Sequence, residues 1–180
     1  DSDVLFNESA STYYVVRFNE RYRDEVKTVD VRHILIQVDE DGLDSEADDY
    51  DTQLQARKDE AKAKADEILA QWKSGDATED SFAALANEYS EDPGSNTTGG
   101  LYTQVTKGSM VTAFDEWIFD DSRKSGDADI VYAERTNSGS DYKGYHIIYF
   151  VGDDLPAWQV TVTNACKNFE IKTSDTFGNT

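Results

Sequence analysis

The chain has 180 residues, 38% of them hydrophobic and 12% aromatic, enough apolar material for one buried core with appendages and too much for a disordered segment. Seventeen Lys and Arg stand against thirty-seven Asp and Glu, a formal charge of −20 that repels phosphate and argues against nucleic acid and anionic lipid headgroups as partners. The single cysteine, Cys166, precludes an intrachain disulfide or a zinc site with several thiolates, and no apolar run approaches the ~20 residues that span a bilayer.

Residues 1–9 are polar and read as a frayed end. Tyr13, Tyr14, Phe18 and Tyr22 then recur at three- and four-residue steps, which predicts an amphipathic helix from Ser11 to about Glu25 within a flank of residues 1–28. From Val29 the period drops to two. Val31, His33 and Leu35 share one face of a strand, and Arg32, Ile34 and Ile36 share the other. Asp39 to Asp51 carries eight carboxylates and no basic residue, so it reads as an exposed, mobile loop. The Asp-x-Asp-x-Asp-Gly spacing of a calcium loop fails there, because Gln37 stands where the first Asp belongs.

Leu54, Ala61, Ala65, Ile68, Leu69 and Trp72 form one stripe of a long helix that Ser74-Gly75 stops. A second helix is expected from Thr78, its N-cap, to Tyr89, with Glu79 and Asp80 in the first turn and Phe82, Leu85 and Ala86 on the apolar side. Asp92-Pro93-Gly94-Ser95-Asn96 is turn chemistry, and Gly99-Gly100 leads into a short strand near Leu101 to Val105. Phe114, Trp117 and Ile118 mark a short third helix, and strands follow near Ile130–Ala133 and Tyr145–Val151. This order makes an α+β domain over residues 29–152, a mainly antiparallel sheet covered by about three helices. Residues 153–180 form a flank in which Trp158, Val162, Ala165 and Phe169 trace a helix, with residues 171–180 read as disordered.

Two histidines exist, His33 on the first strand of that domain and His146 on the last, each in an apolar run. If those strands pair, the rings come within hydrogen-bond reach and fix each other's tautomers. Neither has a second His or Cys at ligand spacing, so no metal site is expected, and no Gly-x-Ser-x-Gly supports a nucleophilic triad.

Five blocks in register resemble the parvulin (PpiC-type rotamase) family over residues 29–151. They are Val31-Arg32-His33-Ile34-Leu35-Ile36, Phe82-Ala83-Ala84-Leu85-Ala86 through Tyr89-Ser90-Glu91-Asp92-Pro93-Gly94-Ser95, Gly99-Gly100-Leu101, Gly108-Ser109-Met110-Val111 with Phe114, and Gly144-Tyr145-His146-Ile147-Ile148. The resemblance implies a four-stranded parvulin-like sheet and non-covalent cis/trans isomerisation of X–Pro bonds, without a cofactor. It implies that His33 and His146 are paired imidazoles under the isomerising peptide, with Asp92 as a third catalytic group. Asp92 falls where phosphate-directed members have cysteine and many bacterial ones have Asp. Leu101, Met110 and Phe114 would wall the proline pocket. Two departures stand out: Asp141, with Ser140 beside it, replaces a frequent Thr, and one extra residue lies between Leu101 and Gly108.

Within the family the chain resembles the isomerase domain of PrsA-type foldases exported by Gram-positive cells. That likeness implies an extracellular or cell-surface location, lipid anchoring of the full-length protein, unfolded or exported polypeptides as partners, and flanks that join into a chaperone domain. Phosphate independence is expected, because the loop after the first strand carries no Lys or Arg. Two other readings stay open beside the isomerase: a catalytically inactive parvulin-fold chaperone or docking module, and an acidic surface protein binding calcium or a cationic partner. A proline-peptide assay separates the first from the isomerase, and calcium titration separates the second.

Overall fold

The computed structural model describes residues 2–7, 11–17, 19–20, 23–135 and 142–167. In chain order the described elements are β1 (Ser2–Asn7), β2 (Thr12–Arg17), β3 (Lys27–Gln37), α1 (Tyr50–Ser74), α2 (Glu79–Tyr89), β4 (Leu101–Val105), α3 (Thr112–Ile118), β5 (Ala128–Arg135), β6 (Tyr142–Pro156) and α4 (Ala157–Cys166). Strands β4-β3-β6-β5, in that order, make one antiparallel sheet, so the α+β class with a four-stranded sheet is the fold observed. The two long strands β3 and β6 occupy the centre, and helices cover both of their faces.

The two faces follow the alternation read from β3 and β6. Ile34, Ile36, Ile147 and Tyr149 face α1 and α2, where they meet Ala61, Ala65, Ile68, Leu69, Trp72, Phe82 and Leu85. Val31, Ile148 and Phe150 face the other way, against Phe114 and Ile118 of α3. Burying an apolar side chain of this size contributes about 1.5–3 kcal/mol, so the two clusters hold the sheet from both sides. Local signals agree with the packing. Thr78 Oγ1 accepts from Ser81 N–H and Ser81 Oγ accepts from Thr78 N–H, a reciprocal cap that starts α2. The Trp72 indole N–H donates to the Thr78 carbonyl, tying the end of α1 to that cap, while its ring meets Phe82 and Tyr149 edge-on.

The N-terminal flank is not the helix that the tyrosine spacing suggests. Residues 2–7 and 12–17 pair as an antiparallel hairpin, with Val4 opposite Val15 and Phe6 opposite Tyr13. The reason lies in Tyr13-Tyr14-Val15-Val16: aromatic and β-branched residues in a row prefer a pleated strand, and an upstream apolar run, Val4-Leu5-Phe6, gives that strand a partner. The three- and four-residue spacing also drew on Phe18 and Tyr22, which lie outside the described residues. At the other flank α4 forms, but Ala157 and Val160 are its buried residues, whereas Val162 is half exposed. Phe169 and residues 171–180 lie outside the described residues. The acidic loop before α1 is exposed, yet it is tethered: Lys143 Nζ donates to both oxygens of Glu40 at 2.8 and 2.7 Å.

Candidate active site

Sheet register brings the two histidines together. His33 lies opposite Ile148 and Leu35 lies opposite His146, so the imidazoles are diagonal neighbours on the α3 side of the central strand pair. Their centroids are 5.4 Å apart with planes 26° from parallel, and their Nδ1 atoms are 3.3 Å apart. Both residues are 5% exposed.

Asp92 arrives from the other side of β3. Beyond the end of β4 the loop after α2 takes over that strand's edge: Leu35 N–H donates to Ser90 Oγ, and Glu91 N–H donates to the Leu35 carbonyl. The next residue is therefore delivered to His33, with Asp92 Oδ2 3.1 Å from His33 Nε2. The same oxygen accepts from Ser95 Oγ at 2.6 Å and from the Tyr102 hydroxyl at 3.0 Å, and Oδ1 accepts from Gly94 N–H at 3.2 Å. The His33 hydrogen bond above all, helped by those from Ser95 and Gly94, holds the Asp92 carboxyl well below its usual range against the opposing effect of partial burial. His146 moves for the opposite reason. Burial, with the nearness of His33 as a lesser cause, pushes it down to about 3.

Above these groups opens a cleft of about 450 Å³, lined by His33, His146, Asp92, Pro93, Tyr102, Met110, Val111 and Phe114, with Leu35, Gln37, Ser109, Arg135 and Tyr142 completing the wall. That volume is in the ordinary range for a small-ligand site. Phe114 stands edge-on to both imidazoles, 5.5 Å from His33 and 5.3 Å from His146, so it clamps the pair as well as walling the cleft.

Leu101 does not reach the cleft. It lies opposite Arg32, on the other face of β4 from the histidines, and Tyr102 opposite Val31 takes its place. Counting from Tyr102 also removes the extra residue before Gly108 noted in the sequence. The period of two puts Leu101 and Tyr102 on opposite faces, and the register that pairs Tyr102 with Val31, a residue on the face of His33, decides which of them enters the cleft. Tyr142, whose hydroxyl is 3.3 Å from His146 Nε2, and Ser95 were likewise missed. Tyr142 is four residues before His146 on one strand and hence on one face. Ser140 and Asp141 lie outside the described residues. Among the described residues, no three His, Cys, Asp or Glu side chains converge so as to hold a metal ion.

Burial of His146 gives stability a definite pH sign. An unfolded histidine titrates near 6.5 and the folded one near 3, so between those values the unfolded chain binds the extra proton. The contribution is complete above pH 6.5 and is lost as pH falls toward 3, by up to about 1.4 kcal/mol per pH unit. Urea unfolding of wild type and His146→Phe between pH 7 and 4.5 should show the wild type losing stability relative to the variant as pH falls. A constant difference across that range would contradict the burial argument.

The family described as the PPIC-type PPIase domain matches residues 13–151. No curated protein matches the chain. Solved structures similar to it include a peptidylprolyl isomerase (PrsA) from Bacillus cereus, 25% identical with a TM-score of 0.46, the match covering 78% of this chain and 41% of that one. Another is a peptidylprolyl isomerase (PrsA) from Bacillus anthracis, 22% identical with a TM-score of 0.46, covering 81% and 51%. The chain thus spans about half the length of those proteins or less.

Proposed function

The chain belongs to the PPIC-type PPIase domain family, the parvulin type of peptidyl-prolyl isomerase, and on that footing we propose that it catalyses phosphate-independent cis/trans isomerisation of X–Pro bonds in exported polypeptides outside a Gram-positive cell. The observation that carries the catalytic part is the cleft itself. An apolar wall of Met110 and Phe114 stands over a buried His33–His146 pair that ends on Asp92.

Rotation about the X–Pro amide faces a barrier of about 18–20 kcal/mol, set by resonance between nitrogen and carbonyl. Twisting removes that resonance and needs no covalent intermediate. A site lowers the barrier by gripping the ring and by surrounding the twisted amide with groups that fit it better than either planar form. Met110, Val111 and Phe114 supply the grip, and His33, His146 and Asp92 supply a polar floor whose dipoles are already fixed by their mutual hydrogen bonds.

The foldase role draws support from the flanks. Ala157 N–H donates to the Val26 carbonyl and Trp158 N–H to the Asp24 carbonyl, while the Trp158 indole N–H reaches Glu25. The chain therefore leaves both ends of the sheet domain side by side, as it must if segments 1–28 and 153–180 contribute to one flanking chaperone domain. No described helix is long and apolar enough to cross a membrane.

Substrate choice follows from charge. The cleft continues past Gln37 and Tyr142 into a groove lined by Asp39, Glu40, Asp41, Glu91 and Lys143. Together the two are lined by five carboxylates, Asp92 included, against two cations, Arg135 and Lys143. Lys143 is paired with Glu40 and Lys64 with Glu91, which leaves Asp39, Asp41 and Asp92 to set the sign of the field, and the Arg135 guanidinium lies 5.4 Å over the Tyr142 ring. Proline peptides with phosphoserine, Glu, Ala or Lys before proline should therefore rank with Lys and Ala fastest. The spread should narrow as salt rises, because added salt shortens the screening length, about 8 Å at physiological ionic strength. No acceleration of any of these peptides would refute the isomerase and leave the inactive docking module standing. Faster turnover of phosphoserine or Glu peptides at low salt would refute the charge reading alone.

A further inference from the structure

The hydrogen-bonded chain at the floor of the cleft has a fourth member beyond Asp92 and the two histidines. Asp92 accepts at one end, His33 and His146 follow, and at the far end the Tyr142 hydroxyl lies 3.3 Å from His146 Nε2. The Tyr142 ring stands edge-on to the His146 ring at 5.9 Å, and burial raises its hydroxyl above the usual tyrosine range, so the phenol keeps its proton.

We propose that Tyr142 is a positioning residue for the isomerase site: its hydroxyl donates to His146 Nε2, which fixes His146 in the Nδ1–H tautomer and sets the direction of every hydrogen bond from Tyr142 to Asp92.

The order follows from what each atom can do. The Asp92 carboxylate only accepts, so His33 must present Nε2–H to it. The two Nδ1 atoms are 3.3 Å apart, and one of them must carry the hydrogen between them. If His146 supplies it, each ring holds one proton, and His146 Nε2 is left bare and in need of a donor. Among the described residues the hydroxyl that meets this nitrogen is that of Tyr142. If His33 supplied it instead, that ring would hold two protons, a cation held against Asp92 at 5% exposure, and His146 would have to donate to a phenol oxygen, a poor acceptor that leaves the hydroxyl proton unused. The first arrangement satisfies every group with neutral rings. It also holds His146 square to Phe114, whose ring meets it at 88°, so the floor and the wall of the cleft keep one geometry.

This inference rests on the isomerase reading for its effect on rate, but its structural half is tested without turnover. The experiment compares the wild-type chain with Tyr142→Phe, which removes one oxygen from a partly buried ring and keeps its shape. Long-range nitrogen–proton NMR on uniformly labelled protein reports which nitrogen of each imidazole is protonated. In the wild type, His146 should be protonated at Nδ1 and His33 at Nε2. In Tyr142→Phe the His146 Nε2 resonance should move downfield as it loses its donor, and kcat/KM for an Ala-Pro peptide should fall about tenfold, a hydrogen bond's worth, with the circular dichroism of the wild type. A wild-type His146 protonated at Nε2 overturns the proposal. So does a Tyr142→Phe variant whose His146 nitrogens do not shift, or one that shifts them and keeps kcat/KM within twofold. A wild type with the expected tautomers and no isomerase activity would overturn the effect on rate together with the isomerase reading, while upholding the hydrogen-bond order.

Discussion

Gly100→Ala is expected to lower the unfolding free energy by about 3–5 kcal/mol, from a left-handed backbone and an overpacked contact acting together. Gly100 has φ +70°, and a Cβ there would fall inside the His33 carbonyl oxygen, with His33 N at 3.0 Å and Ala86 Cβ at 3.1 Å. The clash is with backbone of the central strand, which cannot move aside: His33 N–H donates to the Gly100 carbonyl at 2.9 Å, and β6 pairs with the other side. Relief would have to come from shifting β3 at His33, on the floor of the cleft, so surviving folded molecules should also be poor isomerases. Gly126→Ala is the matched control. It shares the positive φ, +95°, but a Cβ there meets nothing within 4 Å, so its loss should be nearer 1 kcal/mol. The midpoints of urea unfolding for the two variants decide the matter, and equal losses would mean that the contact with His33 is not what requires glycine.

The second large effect is on rate. Phe114 is 2% exposed and forms the cleft wall while standing edge-on to both imidazoles, so truncating it removes the wall and frees the floor in one step. Phe114→Ala should cost about 3–5 kcal/mol in stability as a core deletion. It should also reduce kcat/KM about a hundredfold among molecules that remain folded, the scale expected when reacting groups lose their placement. Because the alanine variant risks unfolding, Phe114→Leu is the sharper probe. Leucine keeps most of the volume, at about 1–1.5 kcal/mol, but has no ring edge to hold the histidines. Its kcat/KM for an Ala-Pro peptide should fall about tenfold, and a folded leucine variant with wild-type activity would put the proline pocket elsewhere.

The order of sheet and helices was legible in the sequence because each element between Val29 and Val151 carries its own period and its own stop. The alternation in Val31-Arg32-His33-Ile34-Leu35-Ile36 already separated the residues that now face α1 and α2 from those that face α3. The Thr78 cap and the Gly75 stop were readable for the same reason, since capping is chemistry between near neighbours in sequence. The N-terminal hairpin was not, because a short run such as Tyr13-Tyr14-Val15-Val16 fits a helix face or a strand until a partner strand is found.

By itself, then, the sequence, through its resemblance to a family, singled out most of the residues that line the cleft: two histidines on two strands, an aspartate in a turn, a methionine just before α3 and a phenylalanine within it. Only the tertiary structure decided how they meet. Whether His33 and His146 touch depends on the register between β3 and β6, a long-range pairing in which a one-residue slip would send the rings to opposite faces. The place of Tyr102 in the wall, and the exclusion of Leu101, depends on the register of β4 against β3 in the same way. Tyr142 and Ser95 join through hydrogen bonds whose partners are fixed by where a strand and a loop come to rest. Side-chain type is local and is written in the chain; hydrogen-bond geometry across strands arises only when the core has set their positions.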